Sequence, residues 1–168
     1  ILSKSEYRNE INRNPNLKEI IRPYVNGKNY INSTSEYCIW MPTKQIFDKF
    51  KDDPFIKDRI QKVKIARSKR KDKSLTHIPY KFQVVQNRDL PALFIPQASS
   101  GNRDYIPMGY ISAKSIIAAP NFGVYNAPIY LLGILMSKMH MSWIKAVGGK
   151  LKTDFRYSNR LCFNTFPI

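Results

Sequence analysis

Acidic residues are scarce in this chain. Twelve Asp and Glu stand against 28 Lys and Arg, so its 168 residues carry a formal charge of +16 with pI ≈ 9.9. With so few carboxylates, no pair stands out as a general acid and base. Cysteine is scarcer still. Cys38 lies in the apolar run YCIWM and Cys162 in LCF, which reads as two buried thiols rather than a disulfide framework. Neither has close ligand spacing to His77 or His140, so no metal site is expected. The seven glycines form neither G-x-G-x-x-G nor a P-loop. No apolar run reaches the roughly 18 residues a membrane span needs, and the N-terminus lacks the apolar core of a signal peptide. A cytoplasmic protein is therefore expected. The first residue is Ile rather than Met, which suggests a piece of a longer chain.

Catalytic motifs are missing as well. There is no E-x-K of the restriction-nuclease pattern, no Asn-Pro-Pro-Tyr or Asp-Pro-Pro-Tyr, and no G-x-S-x-G. Ser99-Ser100-Gly101 reads as a loop without an activating base. No enzyme active site, cofactor site or metal site is expected within these residues.

What is present is a hydrophobic content of 43%, with 12% aromatic residues, enough for a packed core. A polar, charged segment over Ser3–Arg13 predicts a short exposed helix, and Leu17–Arg22 a further turn or two stopped by Pro23. Tyr30–Ile31 and Tyr37–Met41 read as strands. Thr43 is a cap for a helix over Lys44–Lys51, and Asp53-Pro54 opens another. Lys57 to Lys73 contributes nine cations against two acids, which predicts a basic helical layer. Leu90–Pro96 and Tyr105–Ile111 read as a hairpin with a long polar tip, QASSGNRD, its prolines marking edge or irregular strands. Pro128–Val147, capped by Asn126 and stopped at Gly148-Gly149, reads as one long core helix. The tail predicts a short strand over Arg160–Phe163. The expected architecture is α+β: a small, mostly antiparallel sheet, one long buried helix and a basic helical layer. Residues 1–168 are expected to form a single domain, mostly helical over 1–78, with the hairpin and core helix over 79–168.

A charge of +16 calls for an acidic partner, and nucleic acid fits it best. Basic and aromatic residues interleave on the predicted loops. Asn102-Arg103 lies at the hairpin tip, and Lys150-Leu151-Lys152 and Arg156-Tyr157-Ser158-Asn159-Arg160 follow the core helix. Arg and Asn carry the planar heads that pair with guanine and adenine edges, whereas Lys, Ser and Tyr commonly hold phosphates. Composition alone also admits a general RNA-binding or ribosome-associated module. A small nuclease is disfavoured by the missing acidic cluster.

At these residues the chain resembles a known family. SSGNRDYIPMGYI is similar to SSE-N-R-x-Y-I-P-x-G-F, and GILMSKMHMSWIKAVGGKLKTDFRYSNRLCFNTFPI to FGIL-S-x-M-H-x-x-W-x-x-x-V-x-G-R-L-K-x-D-Y-R-Y-S…Y-N-x-F-P-W-P. LKEIIRPYVNGKNYINSTSEYCIWM is similar to I-R-P-x-x-G-x-x-x-F-I-N…R-Y-C-L-W-L. These are segments of the target recognition domain of MmeI-like DNA methyltransferases and restriction-modification enzymes. Gly101 stands where that family often has Glu, Leu132 where it has Phe, Lys150 where it has Arg, and Phe155 where it has Tyr. The resemblance implies a bacterial parent enzyme that uses S-adenosylmethionine to methylate an adenine N6, with or without a nuclease, and a double-stranded DNA reader in this segment. That segment would itself be non-catalytic, and its partners would be DNA and the methyltransferase domain of the same polypeptide. The base-reading candidates are Ser99, Ser100, Asn102 and Arg103. The phosphate candidates are Arg67, Arg70, Lys150, Lys152, Arg156, Tyr157 and Ser158. His140 and Trp143 match the family pattern too, and are expected to pack within the helix.

Overall fold

The computed structural model describes residues 1–84 and 87–168. The chain opens with β1 (Leu2–Ser3), α1 (Lys4–Arg13), a 3-10 turn (Pro15–Glu19) and β2 (Ile21–Val25). It continues through α2 (Gly27–Ile31), β3 (Glu36–Ile39), α3 (Lys44–Phe50) and α4 (Pro54–Ser68). Then follow β4 (Ala92–Ile95), β5 (Ala98–Ser99), β6 (Gly109–Ile111), β7 (Ile116–Ile117) and β8 (Phe122–Tyr125). The last elements are α5 (Ile129–Leu135), α6 (Lys138–Val147), β9 (Gly149–Leu151), β10 (Asp154–Arg156) and a π turn (Asn159–Phe163). The fold is α+β, with small and mostly antiparallel sheets. It divides into two compact units, one of Ile1–Arg22 with Tyr37–Gln86, the other of Pro23–Glu36 with Asn87–Ile168.

In the first unit, side-chain caps start the helices. The Ser3 hydroxyl accepts from the Glu6 amide while the Glu6 carboxylate accepts from the Ser3 amide, a reciprocal box that fixes the start of α1. Thr43 caps α3. Asp53 caps α4 by accepting from the Phe55 and Ile56 amides, with Pro54 at the first helical position. Asp53 also takes two hydrogen bonds from Arg13 and one from Asn14. Leu17, Ile20, Ile21, Met41, Phe50 and Ile56 form the core, flanked by stacked Tyr7–Tyr37 and Phe47–Tyr80 rings.

The second unit is built on β4, every residue of which is buried. β6 and β8 pair with it antiparallel, Leu93 lying opposite Tyr110 on one side and Val124 on the other. The expected Leu90–Ile111 hairpin thus forms, but β4 is a central strand rather than an edge. Pro91 and Pro96 fall just outside its Ala92–Ile95 span, where the ladder needs no N–H from them. Leu93 and Ile95 meet Leu131, Leu135, Met141, Ile144, Phe155, Tyr157 and Cys162 in one core.

Five other expectations are corrected. The long helix is two, because Ser137 adopts extended backbone (φ −80°, ψ 157°) and its hydroxyl accepts from the His140 amide, starting α6 afresh. Asn126 is no cap. It sits at φ 51°, its amide donating to the Pro91 carbonyl, and Pro128 holds the cap position without a side-chain bond. Tyr30–Ile31 belongs to helix α2, since Asn26 and Asn29 each accept the other's amide in a capping box. Pro23 lies within strand β2, just ahead of the Tyr24–Val25 pair that joins β7 in parallel, instead of stopping a helix. In the tail, Arg160–Phe163 lies in the π turn capped by Ser158, and the strand is Asp154–Arg156.

Candidate nucleic-acid interface

Two stretches some fifty positions apart in sequence are joined by β10. On one side it pairs with β9, Phe155 opposite Lys150 and Arg156 opposite Gly149. On the other it pairs with β5, Phe155 opposite Ser99 and Arg156 opposite Ala98. Alternation then sorts the side chains. Phe155 and Ser99 are buried, whereas Ala98, Gly149, Leu151, Asp154 and Arg156 are exposed. Arg156 therefore stands between two small residues on an open sheet face.

The predicted reading tip rests on this sheet. The Gly101 amide makes a long hydrogen bond, 3.4 Å, to the Asp154 carboxylate. A Cβ on Gly101 would lie 2.1 Å from the Thr153 carbonyl oxygen. The close approach needs glycine for space, and it sets the Ser100–Arg103 turn directly on the β9–β10 bend. Ser100 shapes that turn: its hydroxyl accepts from the Asn102 amide and its carbonyl from the Arg103 amide. Asn102 is exposed, Arg103 is half-exposed, and Arg103 makes no ion pair among the described residues. The β9–β10 bend is Lys152-Thr153, with Lys152 at φ 56°, in the left-handed region where such tight turns favour glycine. Lys150, Lys152 and Arg156 are exposed, the Lys150 ammonium lying 5.8 Å from the Phe155 ring centroid.

Several candidates prove to be structural. Tyr157 is 1% exposed, its hydroxyl 2.9 Å from His140 Nε2, so that oxygen is engaged within the core rather than at the surface. Burial raises its pKa. Ser99 is buried with its hydroxyl unpaired among the described residues. Ser158 is half-buried and caps the π turn through the Leu161 amide. Arg67 donates to the carbonyls of Leu75, Ile78 and Lys81, clamping the segment after α4. Burial, then Arg70, lowers its pKa, but a guanidinium remains charged.

The basic run of the first unit is likewise partly committed. Lys57 pairs with Asp52, Arg59 with Glu6 and Lys62 with Asp58. Lys64, Lys69, Arg70, Lys71 and Lys73 are exposed, so the open charge gathers at the C-terminal end of α4 and beyond. His140 is fully buried and packs edge-on against Phe166, as expected of helix packing. Both cysteines are free and buried, and burial pushes the Cys38 thiol up to about 12. Sequence reasoning missed Asp154 and Leu151, and only strand alternation could have placed them outward. Among the described residues there is no cluster of metal-ligating side chains and no helix long and apolar enough to cross a membrane.

DNA methyltransferase A of Bacillus subtilis (strain 168) is 42% identical over 167 residues, covering 98% of this chain and 19% of that protein. The solved structure of the Type IIL restriction-modification enzyme MmeI in complex with DNA superposes with a TM-score of 0.91 at 32% identity. It covers 99% of this chain, which spans 22% of the MmeI chain. The family described as "MmeI, target recognition domain" matches residues 1–168, and the chain belongs to that family.

Proposed function

We propose that this chain reads double-stranded DNA sequence for a bacterial, cytoplasmic adenine-N6 methyltransferase of restriction-modification type. S-adenosylmethionine would be held by other parts of that enzyme, since this sequence carries no cofactor loop. The observation that carries the reading is the seating of the Ser100–Arg103 turn on the β9–β10 bend. It gathers a planar base-pairing head, Arg103, with three exposed cations, Lys150, Lys152 and Arg156. Arg103 reads a base edge with Asn102 beside it, while the lysines and Arg156 grip phosphates and fix register. A single-strand binder would stack bases on exposed aromatics among cations. The most exposed tyrosines, Tyr110 and Tyr130, lie in stretches poor in charge.

The test uses the full-length parent. Arg103→Ala should cost roughly 1–3 kcal/mol and relax discrimination at one base pair. Lys152→Ala should weaken binding to all sequences about equally and flatten the salt slope by roughly one unit. Sequencing the methylated sites decides it: an unaltered motif with wild-type activity removes Arg103 from the reading set.

A further inference from the structure

We propose that the outer face of α5, continued onto the first turn of α6, docks this domain against the methyltransferase part of its own polypeptide. The inference rests on the methyltransferase reading above. Between Lys114 and Lys138 the sequence has no charged residue, in a chain that is 24% charged. Part of that stretch is core, but part faces outward: Ile129 is 74% exposed, Tyr130 64% and Met139 63%, with Met136 beside them. Gly133 lies in the same row, with open space beyond its Cβ position. Leu131 and Leu135 on the opposite side of α5 are buried, so the apolar face is turned outward by the packing of the helix itself. Its start is pinned, because the Tyr110 hydroxyl meets the carbonyls of Ala127 and Pro128 at 3.0 and 2.9 Å.

The α5 part of the face carries no charge and Lys138, exposed at the start of α6, is the one cation at its edge among the described residues, so the face gains little from phosphates and DNA is a poor occupant. A second copy is also a poor one. A stable dimer needs about 800 Å² per partner, more than a few exposed side chains on a seven-residue helix supply. An intramolecular contact needs less, because tethering raises the effective concentration to the millimolar range. This chain is only 19% of the length of its methyltransferase relative, so most of such a polypeptide lies beyond it. Methylation requires the target base to sit at a fixed distance from the sequence being read, and a rigid docking face provides that. The partner surface is apolar apart from its edge at Lys138, and the flexible Met136 and Met139 suit it.

The experiment uses the full-length enzyme bound to DNA. A photo-crosslinking phenylalanine at position 129 should attach to the methyltransferase part, located by peptide mapping. Attachment to DNA, to another copy, or nowhere would overturn the proposal. In parallel, Tyr130→Glu should slow methylation about tenfold with DNA affinity and the methylated sequence unchanged. Unchanged turnover would also overturn it. The exposure of Tyr130 makes the substitution compatible with folding. The underlying reading fails differently: a wild-type parent with no methyl transfer to any DNA rejects that reading, whatever the crosslink shows.

Discussion

Replacing Tyr157 by Phe removes one oxygen from the core of the second unit and leaves the ring volume nearly unchanged. That oxygen is the partner of His140 Nε2 at 2.9 Å, and His140 Nδ1 already lacks a partner among the described residues. The variant therefore leaves a fully buried imidazole with both nitrogens unpaired. A buried polar group left unsatisfied costs about 1–3 kcal/mol. For a chain of this length a cost near 2 kcal/mol lowers Tm by about 4–8 °C. His140→Leu strands the tyrosine hydroxyl instead, at a similar cost. The double variant removes both polar partners and should be less destabilised than the two single losses together. Urea unfolding of the four chains reads this directly. Burial lowers the His140 pKa from 6.5 to about 4. The fold thus favours neutral imidazole, while the unfolded chain takes up a proton below about 6.5. The resulting stability is fully present above pH 6.5 and is lost as pH falls towards 4. At about 1.4 kcal/mol per unit, that loss is about 3 kcal/mol. His140→Leu should flatten this window. A neutral Tyr157→Phe, or strictly additive single variants, would refute the reasoning.

Lys152→Gly should raise stability by about 1 kcal/mol, because glycine adopts φ 56° without strain, yet weaken DNA binding in the parent; a loss of stability in thermal melts contradicts the first half. Arg67→Ala should cost about 2–3 kcal/mol by freeing three carbonyls, with Arg67→Lys failing to restore them and the salt slope of DNA binding unchanged; a flattened slope would return Arg67 to the phosphate set. Asp53→Ala should cost about 1–2 kcal/mol through the lost cap, with further loss from the Arg13 pair, and Asp53→Asn should recover the capping share. Burial alone would raise the Asp53 pKa, but Arg13, Asn14 and the Ile56 amide lower it overall, so its contribution holds above the usual carboxylate range and fades as acid is added.

The sequence by itself determined the local signals. Thr43 and Asp53 start helices where a short polar side chain meets its own backbone, and that chemistry needs no distant partner. The excess of cations, the missing cofactor and catalytic motifs and the family likeness were legible for the same reason. What sequence could not settle was any choice made by contacts across the chain. The Pro128–Val147 pattern reads as one helix because apolar periodicity survives a break, and only the Ser137 cap shows the break. Tyr157 and Arg67 look like phosphate ligands by type, because side-chain chemistry is read without burial. Tertiary packing instead spends the Tyr157 hydroxyl on His140 and the Arg67 guanidinium on three carbonyls. The pairing of β10 with both β5 and β9 likewise joins residues far apart in sequence, and that register leaves Arg156 and Leu151 outside while sending Ser99 and Phe155 inside. Strand pairing is non-local and its side-chain period is two, so a single shift of register would exchange those two sets, and only the folded chain selects one.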